Sequence, residues 1–112
     1  MKTIYLIRSI SKEGDPTYKI GITSKEFVSK RLQELQTGNA GVLDVLYRFE
    51  TKIGEQVERA VQNYYSVGRL NREWFDIDYL KVDDFLSVCE KTENNIALMI
   101  SENTYFQNKR GF

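Results

Sequence analysis

Two runs of β-branched and aromatic residues near the start of the chain, Thr3-Ile4-Tyr5-Leu6-Ile7 and Tyr18-Lys19-Ile20-Gly21-Ile22-Thr23, are joined by the polar segment Ser9 to Thr17, which contains Gly14-Asp15-Pro16. Such side chains suit a pleated, half-buried surface, and Gly, Asp and Pro each favour a turn for a separate steric reason. Together they predict a β-hairpin, which needs cover on at least one face. The next segment supplies it. Residues 25–36 follow Ser24, a favourable N-cap, and a rotation of about 100° per residue places Phe27, Val28, Leu32 and Leu35 on one side of a helix.

Arg31 falls near the centre of that apolar arc, whereas Lys30, Gln33 and Glu34 project elsewhere as an ordinary wetted face. A guanidinium among apolar residues must be paired or employed. Two readings follow: the stem packs while the head snorkels or meets a carboxylate, or the charge marks a site.

Downstream, Ala40-Gly41 opens a strand over Val42 to Thr51, and Gly54 to Val67 has helical periodicity with Val57, Ala60, Val61 and Tyr64 on one side. Glu58 lies at the border of that stripe, and Glu55 and Arg59 point away. Asn71-Arg72-Glu73-Trp74-Phe75 opens a short strand to Ile77, and Val82 to Lys91 reads as a short amphipathic helix. Ile96 to Ile100 is an apolar patch of open type, and Tyr105 to Phe112 is a tail of the kind that frays. The pattern predicts an α+β domain: a small, mainly antiparallel sheet of three to four strands flanked by helices, in the order β-β-α-β-α-β-α.

A chain of 112 residues, 41% hydrophobic, supports a single core, so residues 1–112 are read as one domain. No stretch is apolar enough to span a membrane and the start lacks a signal-peptide pattern. Cys89 is the only cysteine, which excludes an internal disulfide and a paired-thiolate zinc site and points to a reducing cytoplasm. The absence of histidine removes imidazole as base, shuttle or ligand, leaving tyrosine, lysine, carboxylate or metal-bound water. Formal charge is balanced, but residues 1–40 hold seven basic and four acidic groups, and the remainder nine and twelve. A phosphate polymer should therefore be gripped on one side, by Lys30 with Arg69 and Arg72, and repelled by the acidic stretch from Asp76 through Glu102.

In this order the residues resemble the GIY-YIG nuclease superfamily, particularly a small branch, common in phage and bacterial proteins, whose second motif reads Y-K-I-G-I-T. The resemblance covers residues 3–77. Thr3-Ile4-Tyr5 stands at the first motif, Lys19-Ile20-Gly21 at the second, Arg31 at the helix arginine and Glu58 at the metal-holding glutamate. Glu73-Trp74-Phe75 matches the G-E-W-F that closes the branch's core, with Arg72 in place of its glycine. Lys19 replaces the second motif's tyrosine, as is usual in the branch. The branch's histidine one turn after the metal glutamate is Gln62 here.

The resemblance implies a divalent-metal-dependent endonuclease that hydrolyses DNA phosphodiesters, with Tyr5, Lys19, Arg31 and Glu58 as catalytic residues and Mg²⁺ or Mn²⁺ on Glu58. The chemistry fits these residue types. A planar guanidinium donates two parallel hydrogen bonds to a phosphate, and one carboxylate with retained waters is a normal way to hold Mg²⁺. Tyr5 should share a strand face with Thr3 and Ile7, and Lys19 with Gly21 and Thr23, with Gly21 leaving room for the substrate backbone. Trp74-Phe75 reads as core, with stacking of Trp74 on a base as the alternative, and Glu73 reads equally as a group orienting Arg31 or a metal-bound water. The expected partner is DNA, with RNA as the alternative, in the cytoplasm of a bacterial host if the chain is phage-encoded. Two other classes stay open: a catalytically weak or inactive nucleic-acid-binding module, suggested by Gln62, and a protein-interaction or inhibitor domain using the acidic C-terminal face. Residues 78–112, the helix and tail beyond the motif core, are the expected surface for a homodimer or protein partner.

Overall fold

The computed structural model describes residues 1–11, 14–24, 28–37, 42–71 and 73–110, with the side chains of all of these except residues 28, 29, 31, 37, 71, 79 and 103–110. The expected hairpin is present: β1 (Lys2–Ile10) pairs antiparallel with β2 (Thr17–Ser24) from Lys2↔Ser24 to Ser9↔Thr17. Helix α1 (Val28–Thr37) follows, and Phe27 of the expected stripe lies outside the described residues. Strand β3 (Val42–Thr51) pairs with the other side of β1, and α2 (Gly54–Tyr64) runs on into a single 3-10 turn, Ser66–Gly68. Short strands β4 (Arg69–Asn71) and β5 (Trp74–Phe75) precede α3 (Tyr79–Val82) and α4 (Phe85–Arg110). The five strands form one antiparallel sheet in the order β3-β1-β2-β5-β4.

The sheet has one strand more than the largest number expected. The stretch around Asn71 is not one strand but a tight hairpin, with Asn71 paired to Trp74 across two residues. The C-terminal region also departs from expectation. The helix read as Val82 to Lys91 is interrupted after Val82 and restarts at Phe85, then continues through the Ile96–Ile100 patch as far as Arg110. No glycine or proline occurs between Phe85 and Arg110, so nothing in that stretch breaks the helix. No described helix is long and apolar enough to cross a membrane.

One face of the sheet carries the main core. Ile4, Leu6, Tyr18, Ile20 and Phe75 pack against Val57, Val61 and Tyr65 of the α2 region and against Val82, Phe85, Val88 and Cys89. Fully burying each large side chain contributes about 1.5–3 kcal/mol before the cost of ordering it. Gly54 lets α2 start directly on the hairpin, since a methyl group there would come within 2.6 Å of Ile22 Cδ1 and 2.7 Å of Lys2 Cβ. Asp78 caps α3 by accepting from the Leu80 amide at 3.0 Å, and the Tyr65 hydroxyl donates to the Lys81 carbonyl at 3.0 Å. On the opposite face Tyr5, Ile7 and Leu43 are covered by Leu32 and Leu35 of α1, with Val45 and Trp74 beside them.

The β1–β3 register changes once. Ile7 pairs with Val45 but Leu6 pairs with Tyr47, so Leu46 is an extra residue in β3. Leu46, Tyr47 and Phe49 consequently all pack on the main-core side. Arg48 comes opposite Tyr5, and Glu50 opposite Thr3.

Candidate functional site

Strand β2 is paired along its whole length on the β1 side, whereas β5 reaches only Tyr18 and Lys19 on the other. The Ile20 amide still donates to the Glu73 carbonyl at 3.0 Å, and there the ladder ends. In an antiparallel strand the N–H and C=O of one residue point to the same side, so the Ile20 carbonyl also faces this edge. It is taken by a side chain: Gln62 Nε2 of α2 donates to it at 2.9 Å. Gln62 Oε1 in turn accepts from Arg69 Nη2 at 3.3 Å, and the Arg69 guanidinium lies 5.4 Å from the centre of the Phe75 ring. Gln62 is thus a staple on the strand edge.

One turn before Gln62 on the same helix stands Glu58. Its side chain is half-buried, and Oε2 is buried without a hydrogen-bond partner among the described residues. Burial pushes its carboxyl above the usual range, the neighbouring charge of Glu73 adds to that, and Lys19 opposes it; Glu55 and Arg59 make smaller, opposed contributions. A carboxyl oxygen buried without a donor favours a proton or a cation.

Lys19 comes from the face of β2 that meets α1, opposite Ile7, and is buried despite its charge. Its Nζ donates to the Glu73 carboxylate and lies 5.7 Å from the centre of the Trp74 ring. The ion pair is asymmetric, the Lys19 side chain being 7% exposed and that of Glu73 39%. Trp74 packs against the α1-side core, as expected of it.

Tyr5 lies on the same face as Lys19, opposite Gly21, and is 1% exposed. The space expected to be open above Gly21 is occupied: a methyl group there would collide with the Tyr5 ring, whose Cε1 would be only 2.9 Å away. Glycine thus makes room for the phenol, and not for a ligand in this state. Thr3 is buried on the same face, its Oγ1 without a partner among the described residues.

Of the expected catalytic group, then, Lys19 and Glu58 are brought within electrostatic reach of each other by Glu73, and Tyr5 shares the face of Lys19. Arg31 is in the middle of α1, but its side chain lies outside the described residues, as does all of Arg72. Lys30 is exposed on α1. Arg69 is exposed but tied to Gln62 and Phe75, on the Gln62 side of the site. Within residues 78–112, the surface expected to take a partner, Leu80, Leu86, Leu98, Met99 and Ile100 are exposed. Sequence reasoning missed the contacts made by Glu73 and Gln62; the one signal for Glu73 was its place ahead of Trp74-Phe75.

As a donor set, this is one half-buried carboxylate with a second nearby, and no cluster of three or more His, Cys, Asp or Glu occurs among the described residues. That set suits a hard, water-retaining divalent cation, and not zinc. A family model described as the T5orf172 domain matches residues 2–92. Neither the curated proteins nor the solved structures include a significant match to the chain.

Proposed function

The chain belongs to the T5orf172 domain family, and from that premise we propose that it is a phage-type, GIY-YIG-like endonuclease that hydrolyses DNA phosphodiesters with a divalent metal. The observation that carries this reading is the buried oxygen of Glu58, which has no hydrogen-bond partner among the described residues, within electrostatic reach of the Lys19–Glu73 pair. A buried carboxylate oxygen without a donor is costly in a purely structural role and useful as a cation ligand. Glu58 would hold Mg²⁺ or Mn²⁺, with Glu73 near enough to orient its waters. When bound, the ion supplies Lewis-acid polarisation of a phosphate oxygen and neutralises charge on the leaving group.

The chain's own groups do the rest. Lys19, fixed by Glu73 and Trp74, presents a cationic hydrogen-bond donor on the α1 face. Arg31 supplies a planar fork for equatorial phosphate oxygens. Tyr5, closed over Gly21 and packed with Leu32 and Leu35 of α1, would take part in chemistry only after a movement that exposes its hydroxyl. The partner is nucleic acid and the setting a reducing cytoplasm, that of a bacterial host for a phage-encoded chain. A binding module with little or no cleavage is the second reading, favoured by the buried Tyr5 and by Gln62 being committed to the β2 edge.

Cleavage of plasmid and oligonucleotide DNA in Mg²⁺, in Mn²⁺ and in chelator separates them. Metal-dependent cleavage is expected, and Arg31→Lys should lower the single-turnover rate by about 10² to 10³ while leaving the melting temperature nearly unchanged. DNA binding without cleavage in either metal would select the second reading.

A further inference from the structure

Arg48 has no place in the motif pattern, and simple alternation from Ile7↔Val45 would set it opposite Ile4, on the main-core side. The extra residue Leu46 reverses this. Beyond the bulge Arg48 pairs with Tyr5, which itself pairs with Gly21, so the three residues form one row across the α1 face. Bulges often re-aim a side chain beside a site, and this one moves a guanidinium from an apolar face to the face of Tyr5 and Lys19.

Its surroundings leave that guanidinium unspent. Arg8 is paired with Asp44 at 3.0 Å, Lys19 with Glu73, and Arg69 with Gln62. Arg48 is exposed and forms no ion pair or side-chain hydrogen bond among the described residues. The Tyr5 ring leans toward β2, over Gly21, and so away from β3. β3 is an edge strand, so Arg48 is reachable from the side of the sheet as well as from its face. Neighbouring strands are about 4.8 Å apart, which puts the Arg48 backbone roughly 10 Å from that of Gly21. Glu50, two residues on and on the same face opposite Thr3, carries the opposite sign and bounds the row at that end.

We infer that Arg48 is a phosphate-binding residue, which holds the nucleic-acid backbone on the β3 side of the face that Tyr5 and Lys19 occupy. The inference rests on the nucleic-acid reading above and adds a contact that lies outside the motifs. A phosphate contact positions the polymer without reading its sequence, so its signature is a change in salt dependence that is uniform across sequences.

The test is binding of labelled duplex DNA, measured by anisotropy in chelator over a range of salt concentrations, for the wild type, Arg48→Gln, Arg48→Lys and the remote control Lys91→Gln. Arg48→Gln should weaken binding at low salt and reduce the slope of log K against log salt by about one, on DNA of two unrelated sequences. Arg48→Lys should keep the slope, and Lys91→Gln should match the wild type. Wild-type affinity and slope in a folded Arg48→Gln protein would overturn the assignment of Arg48 alone. Absence of any wild-type binding would overturn the nucleic-acid reading together with it.

Discussion

The two faces of the sheet are both covered, yet they are buried with different chemistry. Under α2 and α4 the covered surface is nearly all apolar, from Ile4 and Leu6 through Val57 and Val61 to Phe85 and Cys89. Under α1 the apolar set is small, and Tyr5, Thr3 and Lys19 are buried among it. Apolar burial stabilises, whereas burying hydroxyls and an ammonium at best breaks even after desolvation. The first face therefore accounts for the fold, and the second, with the β2 edge, holds groups whose placement stability alone does not explain.

This division can be broken most visibly at Phe85, which is fully buried between Tyr47 and Tyr65. Phe85→Ala should cost about 3–5 kcal/mol and lower the melting temperature by roughly 15 °C or more. A small loss would mean that α4 is not integral to the core. On the other face Gly21→Ala forces the Tyr5 ring to move, and denaturant unfolding should register a loss of about 1–3 kcal/mol. An unchanged midpoint would show that the ring has room to swing away.

The Lys19–Glu73 pair gives a finer comparison, because its two ends sit in different solvent. Glu73→Gln leaves a buried ammonium without its carboxylate and should cost about 1–3 kcal/mol. Lys19→Met leaves only the more exposed Glu73 unpaired and packs a similar volume beside Trp74, so it should cost less than about 1.5 kcal/mol. The same substitution should remove cleavage. If Lys19→Met instead proved the more destabilising, the ammonium would be a structural part of the α1-side core.

The smallest expected effect is a pH dependence at Glu58. Its carboxyl is raised above an ordinary value near 4.5, so the folded state favours the protonated form. Its contribution to stability is full below about pH 4.5 and is lost as pH rises through the raised value. Glu58→Gln, neutral throughout, should therefore melt at or above the wild type at pH 7 in chelator, and the two should converge below pH 4.5. A mutant that melts lower than the wild type at pH 7 would show that the carboxylate is stabilised by a partner.

Much of this architecture is legible in the sequence. The hairpin follows from β-rich runs around Gly14-Asp15-Pro16, and β3 occupies the expected Val42 to Thr51. The bulge is not legible, because Val45, Leu46, Tyr47 and Phe49 are all apolar and alternation cannot mark which residue is extra. Arg48 was missed for that reason. Gln62 registers in sequence only as a histidine's absence; its bond to the Ile20 carbonyl depends on where β5 stops pairing, which no local pattern encodes. Gly21 correctly signals a close approach, but its occupant, the Tyr5 ring, comes from the neighbouring strand. Glu58 is readable as a border residue of its helix, while the burial of its Oε2 without a partner among the described residues emerges only from packing.

The claim that the β2 edge is a metal-dependent site comes down to Glu58. Calorimetric titration of Mn²⁺ into the wild type and into Glu58→Gln, both folded and at the same pH, addresses it directly. Saturable Mn²⁺ binding in the wild type that is lost in Glu58→Gln is the predicted result, and equal affinity in the two proteins would contradict it.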